Sequence, residues 1–204
     1  MPIVGNFMEI IKVNLNKTRR REIDLIVDYF QKGKVVVYPT DTVYGLGCRV
    51  MEKQAVKRIF EIKQRPKSKP FLVLVNSLSM LKKYSYLSVA QEKYLKKIWP
   101  GPITVVLKSR GNLPAGVIGK DGGLAARLPK NNFLITILKR LGEPIVSTSL
   151  NISGQKNLTN LSGINNYFGA DKPDLVVDAG ILPENKPSRV IDIREIDNIK
   201  ILRW

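Results

Sequence analysis

The chain has 204 residues, 44% hydrophobic and 25% charged, which fits one ordinary globular domain and excludes disordered, collagen-like and coiled-coil classes. A single cysteine excludes a disulfide framework, and the absence of histidine excludes Ser-His-Asp and Cys-His hydrolases and histidine-ligated metal sites. The net charge of +17 favours a polyanionic partner about as much as it favours a lysine-rich solvated surface.

Hydrophobic periodicity predicts helices that alternate with the strands of one large sheet. Strands are predicted over residues 9–13, 34–38, 71–75, 103–107, 124–128, 145–147, 175–177, 189–193 and 199–202. Helices are predicted over residues 19–31, 52–63, 77–83, 88–98, 131–141 and 159–168, and a turn-rich loop over 39–47. The close spacing of the last strands favours antiparallel pairing among them. The fold class is therefore a mixed α/β or α+β domain, expected to span residues 1–204 as a single domain.

Nothing in the sequence marks the chain for export or for a membrane. The N-terminal residues lack a cationic region followed by an apolar core and a small-residue cleavage site. No apolar run approaches the roughly 20 residues needed to cross a bilayer. We therefore expect a cytoplasmic protein with no membrane partner.

Four polar segments, each near the end of a predicted strand or helix, are candidates for a ligand site, because open α/β sheets bind ligands at strand ends. In residues 39–47, PTDT follows a buried strand and could hold a small polar ligand, or it could be a turn in which Asp41 bonds its own backbone. In residues 63–70, an extended chain would point Lys63 and Arg65 to the same side as a phosphate clamp. A solvated basic loop is the alternative for that segment.

The other two segments place polar side chains on strands. Arg127 lies within an otherwise apolar strand, and a buried arginine needs an anionic partner, either a ligand carboxylate or an internal Asp or Glu. In residues 147–154, strand alternation puts Ser147, Ser149 and Asn151 on one face, where they suit phosphate oxygens or a ligand hydroxyl. An ordinary edge strand that ends in a turn would look similar.

Taken together, these segments resemble the YrdC/Sua5 family. The resemblance is carried by PTDTVYGLG at 39–47, Lys-x-Arg at 63–65, WPGPIT at 99–104, RLP at 127–129 and Ser-x-Asn followed by Ile-Ser-Gly at 149–154. It covers essentially the whole chain in order and spacing. It implies a twisted, mostly open mixed sheet with flanking helices and a basic concave face.

The resemblance also implies an activity. Family members are threonylcarbamoyl-AMP synthases, which join L-threonine, bicarbonate and ATP to give threonylcarbamoyl-adenylate and pyrophosphate. Other proteins then transfer the threonylcarbamoyl group to adenosine 37 of ANN-decoding tRNAs. The implied partners are therefore ATP, L-threonine, bicarbonate, tRNA and the transfer proteins, with Mg²⁺ accompanying the ATP phosphates.

Site residues follow from the same resemblance, position by position. The tetrad around the nucleotide phosphates corresponds to Lys63, Arg65, Ser149 and Asn151. The threonine-binding positions correspond to Thr42, Arg127, Ser147 and Ser188. Further ATP contacts correspond to Lys69, Gly123, Asn157 and Arg203.

Two features depart from the family pattern. Leu74 stands where many members have a histidine, so one threonine contact is expected to be missing or replaced. The length corresponds to the short, single-domain form rather than to Sua5-type members with a second domain.

The implied chemistry agrees with a chain that has no histidine. Threonine and bicarbonate give a carbamate that is already anionic, so it can attack the α-phosphorus without a histidine base. Phosphoryl and nucleotidyl transfer depend mainly on positioning and on charge stabilisation, which Lys63, Arg65 and Mg²⁺ can supply.

Two other functions remain open at this point. The chain could be a non-catalytic protein of the same fold that binds double-stranded RNA or tRNA through its positive charge, or a divergent paralogue with another acceptor. The intact Lys-x-Arg and Ser-x-Asn pairs favour the synthase.

Overall fold

We describe the protein from a computed structural model, for residues 8–169, 171–183 and 186–203. The first seven residues, on which part of the export prediction rests, lie outside this range. The strands are β1 (Glu9–Lys12), β2 (Val36–Tyr38), β3 (Gly45–Arg49), β4 (Leu72–Leu74), β5 (Ile103–Lys108), β6 (Gly123–Arg127), β7 (Ile145–Ser149), β8 (Leu175–Asp178), β9 (Arg189–Asp192) and β10 (Lys200–Arg203). The helices are α1 (Arg20–Gln31), α2 (Lys53–Ile62), α3 (Leu78–Lys82), α4 (Val89–Ile98), α5 (Asn132–Leu141) and α6 (Ile164–Tyr167).

All these strands join one mixed sheet in the order β1-β8-β2-β3-β7-β4-β6-β5-β9-β10. The pairs β1–β8, β2–β8, β4–β6 and β5–β9 are parallel, and the other pairs are antiparallel. The predicted mixed α/β fold on one large sheet is therefore confirmed. The prediction of antiparallel late strands holds only for β9 and β10, because β8 returns to the far side of the sheet and lies parallel to its neighbours there.

The loop predicted over residues 39–47 is wrong at its end, because β3 begins at Gly45. The glycines of this segment suggested a loop rather than a strand. The structure explains the glycine at position 47 by close packing. A Cβ on Gly47 would lie 2.0 Å from the carbonyl oxygen of Val146 and 2.7 Å from the hydroxyl of Tyr38. The helix predicted over residues 159–168 is also mostly wrong, because only the four residues of α6 are helical.

The remaining helices match the prediction because their ends are encoded locally. The hydroxyl of Ser77 accepts a hydrogen bond from the Met80 amide at the start of α3. Ser88 forms a capping box with Gln91 at the start of α4. After α5, Gly142 adopts the left-handed conformation that favours glycine.

Two apolar cores lie on opposite faces of the sheet. One packs α2, α3 and α4 against inward-facing residues such as Val73, Val105 and Val146. The other packs α1 and α5 against residues such as Val36, Ile145 and Leu175. The helices of this second core pack on residues of β1, β2, β4, β7 and β8, which leaves open the part of that face formed by β5, β6, β9 and β10. In the part of the chain described, no helix is long and apolar enough to span a membrane.

Candidate active site

One cavity of about 400 Å³ occupies this open part of the sheet. The alternation of side chains along a strand determines which residues line the cavity. In β6, Ala125 and Arg127 line it, whereas Leu124 and Ala126 belong to the core on the other face of the sheet. Most of the predicted site residues line it together, namely Thr42, Arg65, Arg127, Ser147, Ser149, Asn151, Asn157, Ser188 and Arg203. Residues that are distant in sequence therefore share a single cavity.

The PTDT segment forms a turn organised by Thr40. The Thr40 hydroxyl donates to the carbonyl of Val43 at 2.6 Å and accepts from the amides of Thr42 and Val43 at 3.0 and 3.2 Å. It also lies 3.0 Å from the hydroxyl of Thr42. The turn holds the buried Thr42 side chain against the cavity and places Asp41 beside it.

Arg127 is held by partners on three sides. Its Nε donates to the carbonyl of Gly101 at 3.0 Å, and one terminal nitrogen donates to the hydroxyl of Thr42 at 3.2 Å. The other terminal nitrogen forms an ion pair with Asp41 at 2.7 Å. The side chain is 5% exposed; burial lowers the pKa of Arg127, while the Asp41 carboxylate raises it. The anionic partner predicted for this arginine is thus an internal aspartate, and the arginine still faces the cavity.

Lys63 differs from the prediction of an extended clamp. It caps the end of α2, and Gln64 then adopts a left-handed conformation with φ of 50°, so Lys63 and Arg65 do not point to the same side of an extended chain. Lys63 is buried, and its ammonium donates to the carbonyls of Ser149 and Asn151 at 2.7 Å and to Asn151 Oδ1 at 3.0 Å. Burial, and then the charge of Arg65, lowers the pKa of Lys63 to about 7. The alternative of a solvated basic loop is wrong for Lys63.

The Ser149–Asn151 turn is closed by its own polar groups. The Ser149 hydroxyl donates to Asn151 Oδ1 at 2.7 Å, and Asn151 Nδ2 donates to the carbonyls of Ile152 and Gln155 at 3.1 and 2.8 Å. The Ser153 amide donates back to the carbonyl of Lys63 at 2.9 Å. The lysine and the turn therefore form one unit below the cavity wall.

Arg65 presents its guanidinium to the cavity from the loop after α2. Its Nε donates to the carbonyl of Lys69 at 2.9 Å and a terminal nitrogen donates to the carbonyl of Pro70 at 3.1 Å. The guanidinium carbon lies 5.2 Å from the ring centre of Phe71. Burial, and then the charge of Arg203, lowers the pKa of Arg65. Lys69 itself is exposed and contributes its backbone carbonyl to this arrangement.

The far wall comes from β5, β9 and β10. The buried hydroxyls of Ser188 and Thr104 lie 2.8 Å apart, and Arg203 donates to the carbonyl of Ser188 at 2.7 Å. Gly123 lies at the other end of β6 from Arg127, outside the cavity lining, where a Cβ would meet Val106 at 2.9 Å. Its predicted ATP contact therefore requires a ligand that extends along the strand.

Leu74, which replaces the family histidine, lines the cavity and is paired in register with Arg127. It is buried and belongs to the apolar core under α1 and α5. The substitution thus gives this wall an aliphatic surface where a titratable ring would stand.

Sequence reasoning did not select several side chains that line the cavity, among them the polar residues Thr40, Asp41 and Thr104. All three lie within the PTDT and WPGPIT segments, but none of them was assigned to a particular substrate. The requirement that a buried arginine have an acidic partner could have identified Asp41. Nothing in the sequence indicates that the hydroxyl of Thr104 meets that of Ser188, 84 residues later.

Comparison with known proteins agrees with this geometry. The Sua5/YciO/YrdC family model, described as "Telomere recombination", matches residues 28–204. The threonylcarbamoyl-AMP synthase of Klebsiella pneumoniae is 35% identical over 161 residues, which are 78% of this chain and 84% of that protein. That of Pyrococcus abyssi is 32% identical over 176 residues, 85% of this chain but 51% of the relative, so the chain spans about half that relative's length.

Solved structures give the same result. P. abyssi Sua5 in complex with L-threonine has a TM-score of 0.85 and 29% identity, covering 97% of this chain and 57% of that one. E. coli YciO has a TM-score of 0.84 and 31% identity, covering 97% and 94%. The match therefore extends from single motifs to the whole fold, and the chain belongs to the Sua5/YciO/YrdC family.

Proposed function

We propose that the protein is a threonylcarbamoyl-AMP synthase, a nucleotidyltransferase that converts L-threonine, bicarbonate and ATP to threonylcarbamoyl-AMP and pyrophosphate. The observation that carries the proposal is a single cavity lined by three guanidinium groups and several hydroxyls. Burial is the main cause that lowers the pKa values of Arg65 and Arg127, and the charge of Arg203 lowers both further, so Arg203 is close enough to repel the other two cations. A cavity of this kind suits a ligand with several negative charges.

The two ends of the cavity suit the two substrates. We assign the end with Arg127 and Thr42 to threonine, because a guanidinium can bind the amino-acid carboxylate and a hydroxyl can bind its polar groups. Ser147 and Ser188 complete this end in our assignment. A structure of the related P. abyssi Sua5 holds L-threonine, which supports threonine as the amino acid.

We assign the nucleotide phosphates to the end with Arg65, Ser149 and Asn151. Arg65 supplies a fixed charge, because two backbone carbonyls and the Phe71 ring hold its guanidinium. Lys63 supports this end from behind, because its side-chain nitrogen donates to the carbonyls of Ser149 and Asn151 and holds the turn in place. Asn157 and Arg203 border the same cavity and extend the nucleotide site, as the family resemblance implies.

The reaction suits these groups. Threonine and bicarbonate lose water to form the N-carboxylate, an oxygen of which attacks the α-phosphorus of ATP. The bond from that phosphorus to the bridging oxygen breaks, and the electron pair leaves with pyrophosphate. The charge that develops on pyrophosphate is stabilised by preorganised cations, so no histidine base is required.

Mg²⁺ is expected to enter with ATP rather than to occupy a protein cage. No cluster of three or more metal-binding side chains occurs among the residues that the structure describes, and the cavity's carboxylate, Asp41, is paired with Arg127. Asn151 Oδ1 already accepts hydrogen bonds from Lys63 and Ser149, so the hydroxyl oxygen of Ser149 is the better hard donor for a magnesium ion bound mainly by phosphates and water. When bound, the ion would neutralise phosphate charge.

The test is pyrophosphate release by the purified protein, with the nucleotide product identified by mass spectrometry. We expect release from ATP with Mg²⁺ only when both L-threonine and bicarbonate are present. Arg65→Ala should lower kcat by about 10²- to 10³-fold, the scale for loss of one preorganised electrostatic group. Equal turnover without threonine would overturn the proposed function.

The second candidate is a protein of this fold that binds RNA without catalysis, and the net charge of +17 is the observation in its favour. For a synthase that supplies tRNA-modifying transfer proteins in the cytoplasm, we expect weak RNA binding with little sequence preference and steep salt dependence. Tight, sequence-selective RNA binding at physiological salt, together with no pyrophosphate release, would favour this candidate.

A further inference from the structure

We propose that Asp41 is a positioning residue that orients the Arg127 guanidinium toward the substrate carboxylate. The proposal rests on the proposed function, since it concerns the threonine end of the same cavity. Asp41 Oδ1 lies 2.7 Å from a terminal nitrogen of Arg127, and Asp41 Oδ2 accepts a hydrogen bond from the Lys130 amide at 3.1 Å. The carboxylate thus links the loop before β3 to the chain just after β6.

The geometry around Arg127 leaves its orientation dependent on Asp41. A guanidinium carries five N–H donors in one plane, and its orientation is fixed when partners engage different edges of the fork. Gly101 engages Nε and Thr42 engages one terminal nitrogen, at 3.0 and 3.2 Å. Asp41 forms an ion pair with the other terminal nitrogen at 2.7 Å and is the charged partner in the set. Without it, the guanidinium could turn about its side-chain bonds and present a different edge to the cavity.

The charge of the buried Arg127 side chain also supports a positioning role for Asp41. Arg127 is 5% exposed, and Arg203 repels it across the cavity. A buried cation without a carboxylate tends to move toward water or toward another acceptor. Asp41 therefore keeps Arg127 in place while the amino-acid site is empty. It is itself held by the Thr40-centred turn and by Lys130. It acts on the substrate through Arg127.

The experiment compares steady-state pyrophosphate release by the wild type, Asp41→Ala and Asp41→Asn, with threonine and ATP varied separately. We expect Asp41→Ala to lower kcat/KM for threonine by about 10- to 100-fold, the scale of losing an orienting partner of a binding group. The KM for ATP should change less than threefold. Asp41→Asn, which keeps the shape and one acceptor oxygen, should lie between Asp41→Ala and the wild type.

A double-mutant cycle separates positioning from general stability. In an Arg127→Ala background, Asp41→Ala should lower kcat/KM for threonine by less than twofold further, because its effect passes through Arg127. The matched control is Asp174→Asn, which alters another buried aspartate–arginine pair, with Arg58 at 2.8 Å, outside the cavity. That variant should melt at a lower temperature yet keep its kcat/KM for threonine.

The outcomes are distinct. If the wild type is active and folded Asp41→Ala or Asp41→Asn keeps a wild-type kcat/KM for threonine, the positioning role is overturned while the proposed function stands. Equal losses for ATP and threonine, or a full additional loss in the Arg127→Ala background, also overturn it. A wild type that neither releases pyrophosphate with threonine nor binds threonine calorimetrically overturns the proposed function, and the positioning role with it.

Discussion

Replacing Lys63 by methionine removes an ammonium group from the protein interior and should change how stability depends on pH. The residue is 2% exposed, and burial together with the charge of Arg65 lowers its pKa from 10.5 to about 7. Between those two values the unfolded chain binds a proton on Lys63 that the folded chain does not bind. The free energy of unfolding of the wild type should therefore rise with pH in this window, and Lys63→Met should lack that rise.

The size of the effect follows from the two pKa values. One unit of pKa difference corresponds to about 1.4 kcal/mol. Integrated from pH 7 to pH 10, the contribution of Lys63 to the free energy of unfolding rises by roughly 3–4 kcal/mol. Well below pH 7 both states hold the proton, so the difference between wild type and variant should level off there.

The assay is urea unfolding of both proteins at each pH unit from 6 to 10, with the difference in unfolding free energy plotted against pH. Other titrating groups largely cancel in that difference. Lys57→Met is the control for the loss of one positive charge, because Lys57 lies on the same helix with its side chain 62% exposed. A wild-type-minus-Lys63→Met difference that stays constant from pH 7 to pH 10 would refute the reasoning. It would show that the three oxygen acceptors keep the ammonium charged.

Two further predictions test the site and the sheet. Arg127→Ala should lower kcat/KM for threonine by the equivalent of about 2–5 kcal/mol and should change the affinity for ATP much less. Equal losses in both quantities would show that Arg127 does not bind the amino acid. Gly47→Ala should lower the free energy of unfolding, measured in urea, by about 3 kcal/mol or more, because its Cβ would lie 2.0 Å from the Val146 carbonyl oxygen. The control is Gly169→Ala, whose Cβ would have no neighbour within 4 Å and which should change that free energy by less than about 0.5 kcal/mol. Equal stability of the two glycine variants would contradict the close approach of β3 and β7.

The sequence by itself determined the helices with encoded ends and most of the strands. Ser77, Ser88 and Gly142 mark helix ends through bonds to near neighbours, so the information lies within a few residues. The motif segments likewise predicted most residues of the cavity, because strand alternation and strand ends place side chains by local geometry. Local patterns did not predict β3, because its glycines have no hydrophobic side chains to show a strand pattern. They also predicted a helix over residues 159–168, where only four residues are helical.

Only the tertiary structure decided which groups meet. The pairing of Asp41 with Arg127 joins residues that are distant in sequence. The sequence alone left open whether the partner of Arg127 is a ligand carboxylate or an internal Asp or Glu. The sequence left Lys63 open to interpretation as a solvated loop lysine. The fold instead buries it under the Ser149–Asn151 turn, where its side-chain nitrogen donates to three oxygen atoms. The reason is physical: desolvation and ion pairing depend on what lies within a few ångströms in space, and the order of strands in the sheet sets those distances.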